Sequence, residues 1–288
     1  MFSEKYGYKP QKKILYEEVS QSLRNRIWNL FYQEEIQSGG LASERITNAL
    51  SGVQTIESKV ADRLGFIVNT SGKGPDLLNS IQTYVTADCN WYELYDFIDI
   101  HLSFVNSLKL ENRIRQYNTL LEQEKAGYCV VCGEIAPITD PVEIQSIESA
   151  AQTVVVSVNQ HIRKALELYA DTKSPDYENS VKESISAVEA MCCTITGMTG
   201  SQATLGAAIK KLKDNGVHIH GAMEKAFLSL YGYTSDENGI RHGGIDFKKV
   251  PAEDAKFMLV SCSSFVNYLI EKWSKGSCWF PIKKEEEF

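Results

Sequence analysis

Tyr177-Glu-Asn-Ser-Val181-Lys-Glu-Ser-Ile185-Ser-Ala-Val188-Glu-Ala-Met-Cys192-Cys-Thr-Ile195 decides the fold class. Val181, Ile185, Val188, Cys192 and Ile195 recur every three or four residues, which marks one face of an amphipathic helix. The same spacing returns on both sides. Before it, Lys173-Ser-Pro175-Asp is a break, and the stretch from Asp140 to about Tyr169 reads as one long helix. Its opening, Asp140-Pro141-Val-Glu143, combines an N-cap acceptor, a proline in the first turn and an acid near the positive end of the helix dipole. After it, shorter helices fit Leu205–Lys213 and Ala222–Tyr231. Pro251-Ala-Glu-Asp254 opens a last helix to about Trp273. Its apolar residues nearly surround it, as in a helix buried on several sides or set in a subunit interface.

Towards the N-terminus, helices are expected over Tyr16–Ile36, ended by Ser38-Gly39-Gly40, and over Ala42–Ile67. Asn69–Pro75 is rich in turn formers and reads as a loop. Helices resume at Asp76–Ala87, Trp91–Leu108 and Glu111–Lys125. Tyr128–Ile138 is short and β-prone, with Gly133-Glu134 at its centre, and predicts a small hairpin. The class is therefore mainly α: helical bundles with one β-hairpin near 128–138. Two domains are expected, 1–139 and 140–288.

Hydrophobic residues at 43% and charged residues at 23% are globular values. No stretch approaches the roughly 20 apolar residues of a membrane span, so no membrane partner is expected. Seven scattered cysteines without a signal-like leader fit reduced thiols and a cytoplasmic setting. A net charge of −7 argues against general coating of nucleic acid, which relies on many basic contacts to phosphate.

Five groups of residues invite a chemical reading. In Asp236-Glu-Asn-Gly-Ile-Arg241-His242, arginine suits the crowded oxygens of a phosphate, and histidine moves protons near neutral pH. The plainer reading is an Arg241–Asp236 ion pair pinning a glycine-rich loop. Val217-His218-Ile219-His220 sets two histidines on one face if extended, or is a connector into the next helix. Cys129-Val-Val-Cys132 has no second ligand pair, so it reads as strand residues rather than zinc ligands. Gly-Lys-Gly within Asn69–Pro75 lacks the phosphate-loop pattern. Trp91, Tyr92, Tyr95 and Phe97 fall at helical spacing and read as core packing.

The order of several segments resembles an abortive-infection group with AbiJ-type N-terminal domains. These are Phe2–Tyr8, Leu23–Asn29, Ala126-Gly127-Tyr128, Pro137-Ile138-Thr139, Val181–Glu189, Leu230–His242, Ala255–Leu259 and Phe265–Leu269. The resemblance implies a C-terminal domain of the HEPN type, a helical bundle that often cleaves RNA without a metal. It implies RNA as substrate, a homodimer, a regulatory or neutralising protein partner, and no cofactor or metal. Arg241, His242 and Asp236 are then the catalytic candidates. Lys182, Glu183, Glu189, His218 and His220 are the binding candidates, with Glu183 or Glu189 also placed to orient an imidazole. Active HEPN nucleases leave four to six residues between the arginine and the histidine, and at those positions after Arg241 this chain has Asp246, Phe247 and Lys248. The alternative expectation is a non-catalytic sensor that binds nucleotide, nucleic acid or a phage protein.

Overall fold

The structure is a computed structural model that describes residues 6, 13–37, 56–66, 74–171, 173–232 and 250–276. Helix formation follows the apolar spacing, and the described residues hold eleven α-helices and one two-stranded hairpin. The chain divides into two compact units, Met1–Thr139 and Asp140–Phe288. No helix among the described residues is long and apolar enough to cross a membrane.

In the first unit, helix α1 (Gln21–Phe31) buries Leu23, Ile27, Trp28 and Phe31. It starts later than the expected Tyr16, because the Ser20 side chain caps it by accepting from the Leu23 amide. Leu15 instead forms a parallel bridge with Ala126. Beyond Phe31 the helix widens into a π-helical turn, Tyr32–Gln37. Of the helix expected over Ala42–Ile67, the described part is α2 (Ile56–Arg63); Ser38-Gly39-Gly40 and residues 69–73 lie outside the described residues. Helix α3 (Gly74–Thr83) runs into a second π turn, Tyr84–Asp88. It begins within the expected loop, since Gly74 and Pro75 are already helical.

Helix α4 (Trp91–Phe104) stops four residues early because the Asn106 side chain, accepting from the Leu108 amide, caps α5 (Ser107–Gln123). The two helices are joined in the core by His101 Nδ1 and the Tyr117 hydroxyl, 2.7 Å apart and fully buried. Glu124, 5% exposed, accepts from Ser20 Oγ, Ser22 Oγ and the Arg26 guanidinium, so its charge is paired where burial would otherwise be costly.

Strands β1 (Cys129–Val131) and β2 (Glu134–Ala136) pair antiparallel, Val130 opposite Ile135. Cys132 and Gly133 both take positive φ, 52° and 97°, as a tight hairpin turn with the right twist demands. Asn118 on α5 clamps the hairpin by accepting from the Val130 amide and donating to its carbonyl. Gly127, just before the hairpin, donates its amide to the Leu15 carbonyl, and a Cβ there would lie 2.6 Å from that oxygen and 2.8 Å from Tyr16 Cα. Backbone cannot yield cheaply, so Gly127→Ala is expected to cost about 1–3 kcal/mol in chemical denaturation. An unchanged midpoint would contradict the contact.

The second unit opens with α6 (Pro141–Ala151), capped by Asp140, whose carboxylate accepts from the Val142 and Glu143 amides. The single long helix expected to Tyr169 is corrected to two, because residues 152–155 are non-helical and α7 runs Val156–Ala170. Helix α8 (Tyr177–Thr196) buries the expected Val181, Ile185, Val188, Cys192 and Ile195. Ser180 on α8 donates to the Ala165 carbonyl and Glu183 meets His161, so the two helices run antiparallel. Helix α9 (Leu205–Asp214) ends on Gly216 at φ 80°, where the Gly216 and Val217 amides close onto the Lys213 and Leu212 carbonyls. Helix α10 (Gly221–Gly232) follows the 217–220 connector, and α11 (Ala252–Gly276) packs on α6, α7 and α8. Ser146 on α6 bonds Ser264 through its hydroxyl and Asn267 through its carbonyl.

Burial pushes the thiols of Cys129, Cys192 and Cys262 up from 9.0 to about 12. Thiolate is the nucleophile, so in the native chain these three are expected to resist iodoacetamide while half-buried Cys132 and Cys193 react. Because the folded values are raised, their stability contribution is fully present below pH 9.0 and is lost as pH climbs towards 12. A peptide map showing equal labelling would contradict this burial.

Candidate functional site

The sequence candidates on α8 are drawn apart by the helix itself. Glu183 and Glu189 are six residues apart, about 9 Å along the axis and on different faces. Glu183 points to α7, where its Oε2 lies 2.6 Å from His161 Nδ1. Glu189 meets the Tyr231 hydroxyl at 2.5 Å, at the far end of α10. Lys182 is half-buried on α8.

His161 is the residue the sequence reading missed. Its side chain is 37% exposed and that of Glu183 32%, so the pair sits at the surface of the α7–α8 seam. An imidazole donating Nδ1–H to a carboxylate has its tautomer and orientation fixed, and its Nε2 is left as a proton acceptor. An imidazole held in this way can take up and release a proton. The signal was the antiparallel hairpin of α7 and α8, whose short connection places residue 161 opposite 183.

His218 and His220 do not join that pair. Val217 and Ile219 are buried at 8% and 5% while both histidines are exposed, the alternation of an extended connector. His220 Nδ1 accepts from the Ala222 amide at the start of α10, and the His218 carbonyl accepts from Lys272. Asp236, Arg241 and His242 lie outside the described residues. Their segment leaves the described chain just after Tyr231 and Gly232 and rejoins it at Val250, which is buried at 7%.

Other places are less suited to chemistry. Ile185, Val188, Phe227, Met258 and Phe265 line an apolar pocket of about 20 Å³, room for a water but not a nucleotide. An open groove of about 380 Å³ in the first unit is lined in part by Arg26, whose guanidinium already bonds Glu124. No three His, Cys, Asp or Glu side chains gather into a metal site among the described residues. Trp91 stacks on Tyr128 at 5.9 Å and Tyr95 packs edge-on against it, while Tyr92 is half-exposed.

No curated protein and no solved structure matches the chain. The family model described as AbiJ N-terminal domain 4 matches residues 1–153, all of the first unit and α6 of the second. That span is more than half of the 288 residues, and the chain belongs to the AbiJ N-terminal domain 4 family.

Proposed function

We propose that this AbiJ-family chain is an abortive-infection effector whose C-terminal unit is HEPN-like and cleaves RNA without a metal, as a homodimer. Family membership supports the abortive-infection role. The observation that carries the chemistry is the half-exposed His161 imidazole held by Glu183 at 2.6 Å. In this reading the ribose 2′-hydroxyl loses its proton to an imidazole and attacks phosphorus. The P–O5′ bond breaks, and the departing oxygen takes a proton from a second acid or from water. A 2′,3′-cyclic phosphate remains. Arg241 stabilises the developing charge, and Asp236 braces the loop. Two imidazoles are offered for the proton transfers, His242 beside Arg241 in the sequence and His161 held by Glu183.

The test is RNA incubated with the full chain in EDTA. Wild type is expected to cut, and an Arg241→Ala/His242→Ala double variant to lose at least about 10²-fold in rate. Equal cutting by both, or none by either, removes the nuclease reading. The net charge of −7 and the irregular Arg241–His242 spacing favour the second reading, a sensor that binds nucleic acid, nucleotide or a phage protein without cutting. Binding retained under conditions where wild type leaves RNA intact selects it.

A further inference from the structure

We infer that the edge formed by the end of α9, the 217–220 connector, the start of α10 and the end of α11 is a docking surface for the backbone of single-stranded RNA. RNA as the occupant rests on the function proposed above; the surface itself rests on charge and geometry. Residues 210–225 and 271–275 carry six lysines, Lys210, Lys211, Lys213, Lys225, Lys272 and Lys275. Against them stand three carboxylates, Asp214, Glu224 and Glu271. An excess of three positive charges is thus gathered on one edge of a chain whose net charge is −7.

The contacts show that these segments converge. Lys213 pairs with Glu224, tying the end of α9 to the first turn of α10. Lys272 donates to the His218 carbonyl at 2.9 Å and lies over the Tyr268 ring, tying α11 to the connector. Phe227 stacks on Phe265, fixing α10 to α11. Glu224 and Glu271 are taken up by Lys213 and Lys275. Lys210, Lys211 and Lys225 are exposed and make no ion pair among the described residues.

The histidines select the kind of polyanion. Burial of Val217 and Ile219 turns the His218 and His220 side chains to solvent on one face of the extended connector, between the lysines. Flat imidazoles beside cations suit unpaired bases on a phosphate chain, where stacking and phosphate contact act together. A lipid headgroup surface offers the rings nothing to stack on.

The test uses a fluorescein-labelled 2′-O-methyl oligouridylate, which lacks the hydroxyl needed for cleavage, so binding is measured apart from cutting. Anisotropy is followed for the full chain in EDTA across a range of salt. Wild type is expected to bind with strong salt dependence. Lys210→Gln/Lys211→Gln/Lys225→Gln is expected to lower the slope of log affinity against log salt by about two and to weaken binding at least about ten-fold near 0.1 M salt. Lys109→Gln/Lys164→Gln/Lys173→Gln, changed elsewhere on the surface, is expected to stay within about two-fold of wild type. Equal loss in both triple variants, no binding by wild type, or lysine-dependent binding only to phosphatidylserine vesicles overturns the inference. If ordinary RNA is cut by wild type and by the first triple variant alike, with equal oligonucleotide affinity, this surface fails while the nuclease reading stands. Loss of oligonucleotide binding in that variant, with no RNA cut by wild type, supports the surface and removes the nuclease.

Discussion

His161→Ala is expected to lower the rate of RNA cleavage in EDTA by about 10²- to 10⁴-fold, the range for losing a positioned proton-transfer group. The expectation comes from geometry: the carboxylate of Glu183 sits on Nδ1, the pair is only half-buried, and Nε2 is left for the chemistry. A merely structural pair predicts something else, since ion pairs this exposed contribute little to stability. The loss should therefore fall on kcat with KM nearly unchanged, and the thermal midpoint should hardly move. Glu183→Gln keeps an acceptor for the Nδ1 proton and is expected to retain far more activity than Glu183→Ala. A His161→Ala variant that cuts at the wild-type rate excludes His161 from the reaction, even if Arg241→Ala/His242→Ala is dead.

Phe31→Ala is expected to cost about 3–5 kcal/mol, the largest stability change among single substitutions in the first unit. The Phe31 ring is fully buried. It packs edge-on against Phe97 at 5.4 Å and His101 at 4.9 Å, and against Trp28 at 5.7 Å. Removing it opens a void beside the buried His101–Tyr117 hydrogen bond that joins α4 to α5. Urea unfolding followed by tryptophan fluorescence should show a lower midpoint with an unchanged slope. A shift below about 1 kcal/mol would mean that Phe31 is not at the centre of this core.

The mainly helical fold was legible because its longest signals were strong. The apolar face of α8 was read from Val181 to Ile195, and those residues are buried. The hairpin was read from a turn centred on Gly133-Glu134; the turn itself forms one residue earlier, at Cys132-Gly133, with Glu134 already paired in β2. The break between α6 and α7 was not legible, for a specific reason. Ile147, Ala151, Val154, Val158 and Ile162 continue one helical stripe through residues 152–155, yet Val154 is 82% exposed. A run of β-branched residues, Thr153 to Val156, weakens the helix there, and tertiary packing rather than periodicity ends it.

The site was less legible than the fold. Glu183 and Glu189 were singled out on α8, but what each one faces depends on neighbouring helices. His161 lies beside the buried stripe of α7 with no motif to mark it, and its meaning comes from the antiparallel register that brings Glu183 to it. His218 and His220 drew notice as a pair. Their exposure on an extended connector, beside lysines from three helices, emerges only when α9, α10 and α11 are seen together.

The most direct test of the central claim is the chemistry of the ends left on RNA treated with the full chain in EDTA. Mass spectrometry is expected to find fragments ending in 2′,3′-cyclic phosphate, formed by wild type and not by Arg241→Ala/His242→Ala. Intact RNA, or fragments that appear only when a divalent metal is restored, would contradict the account.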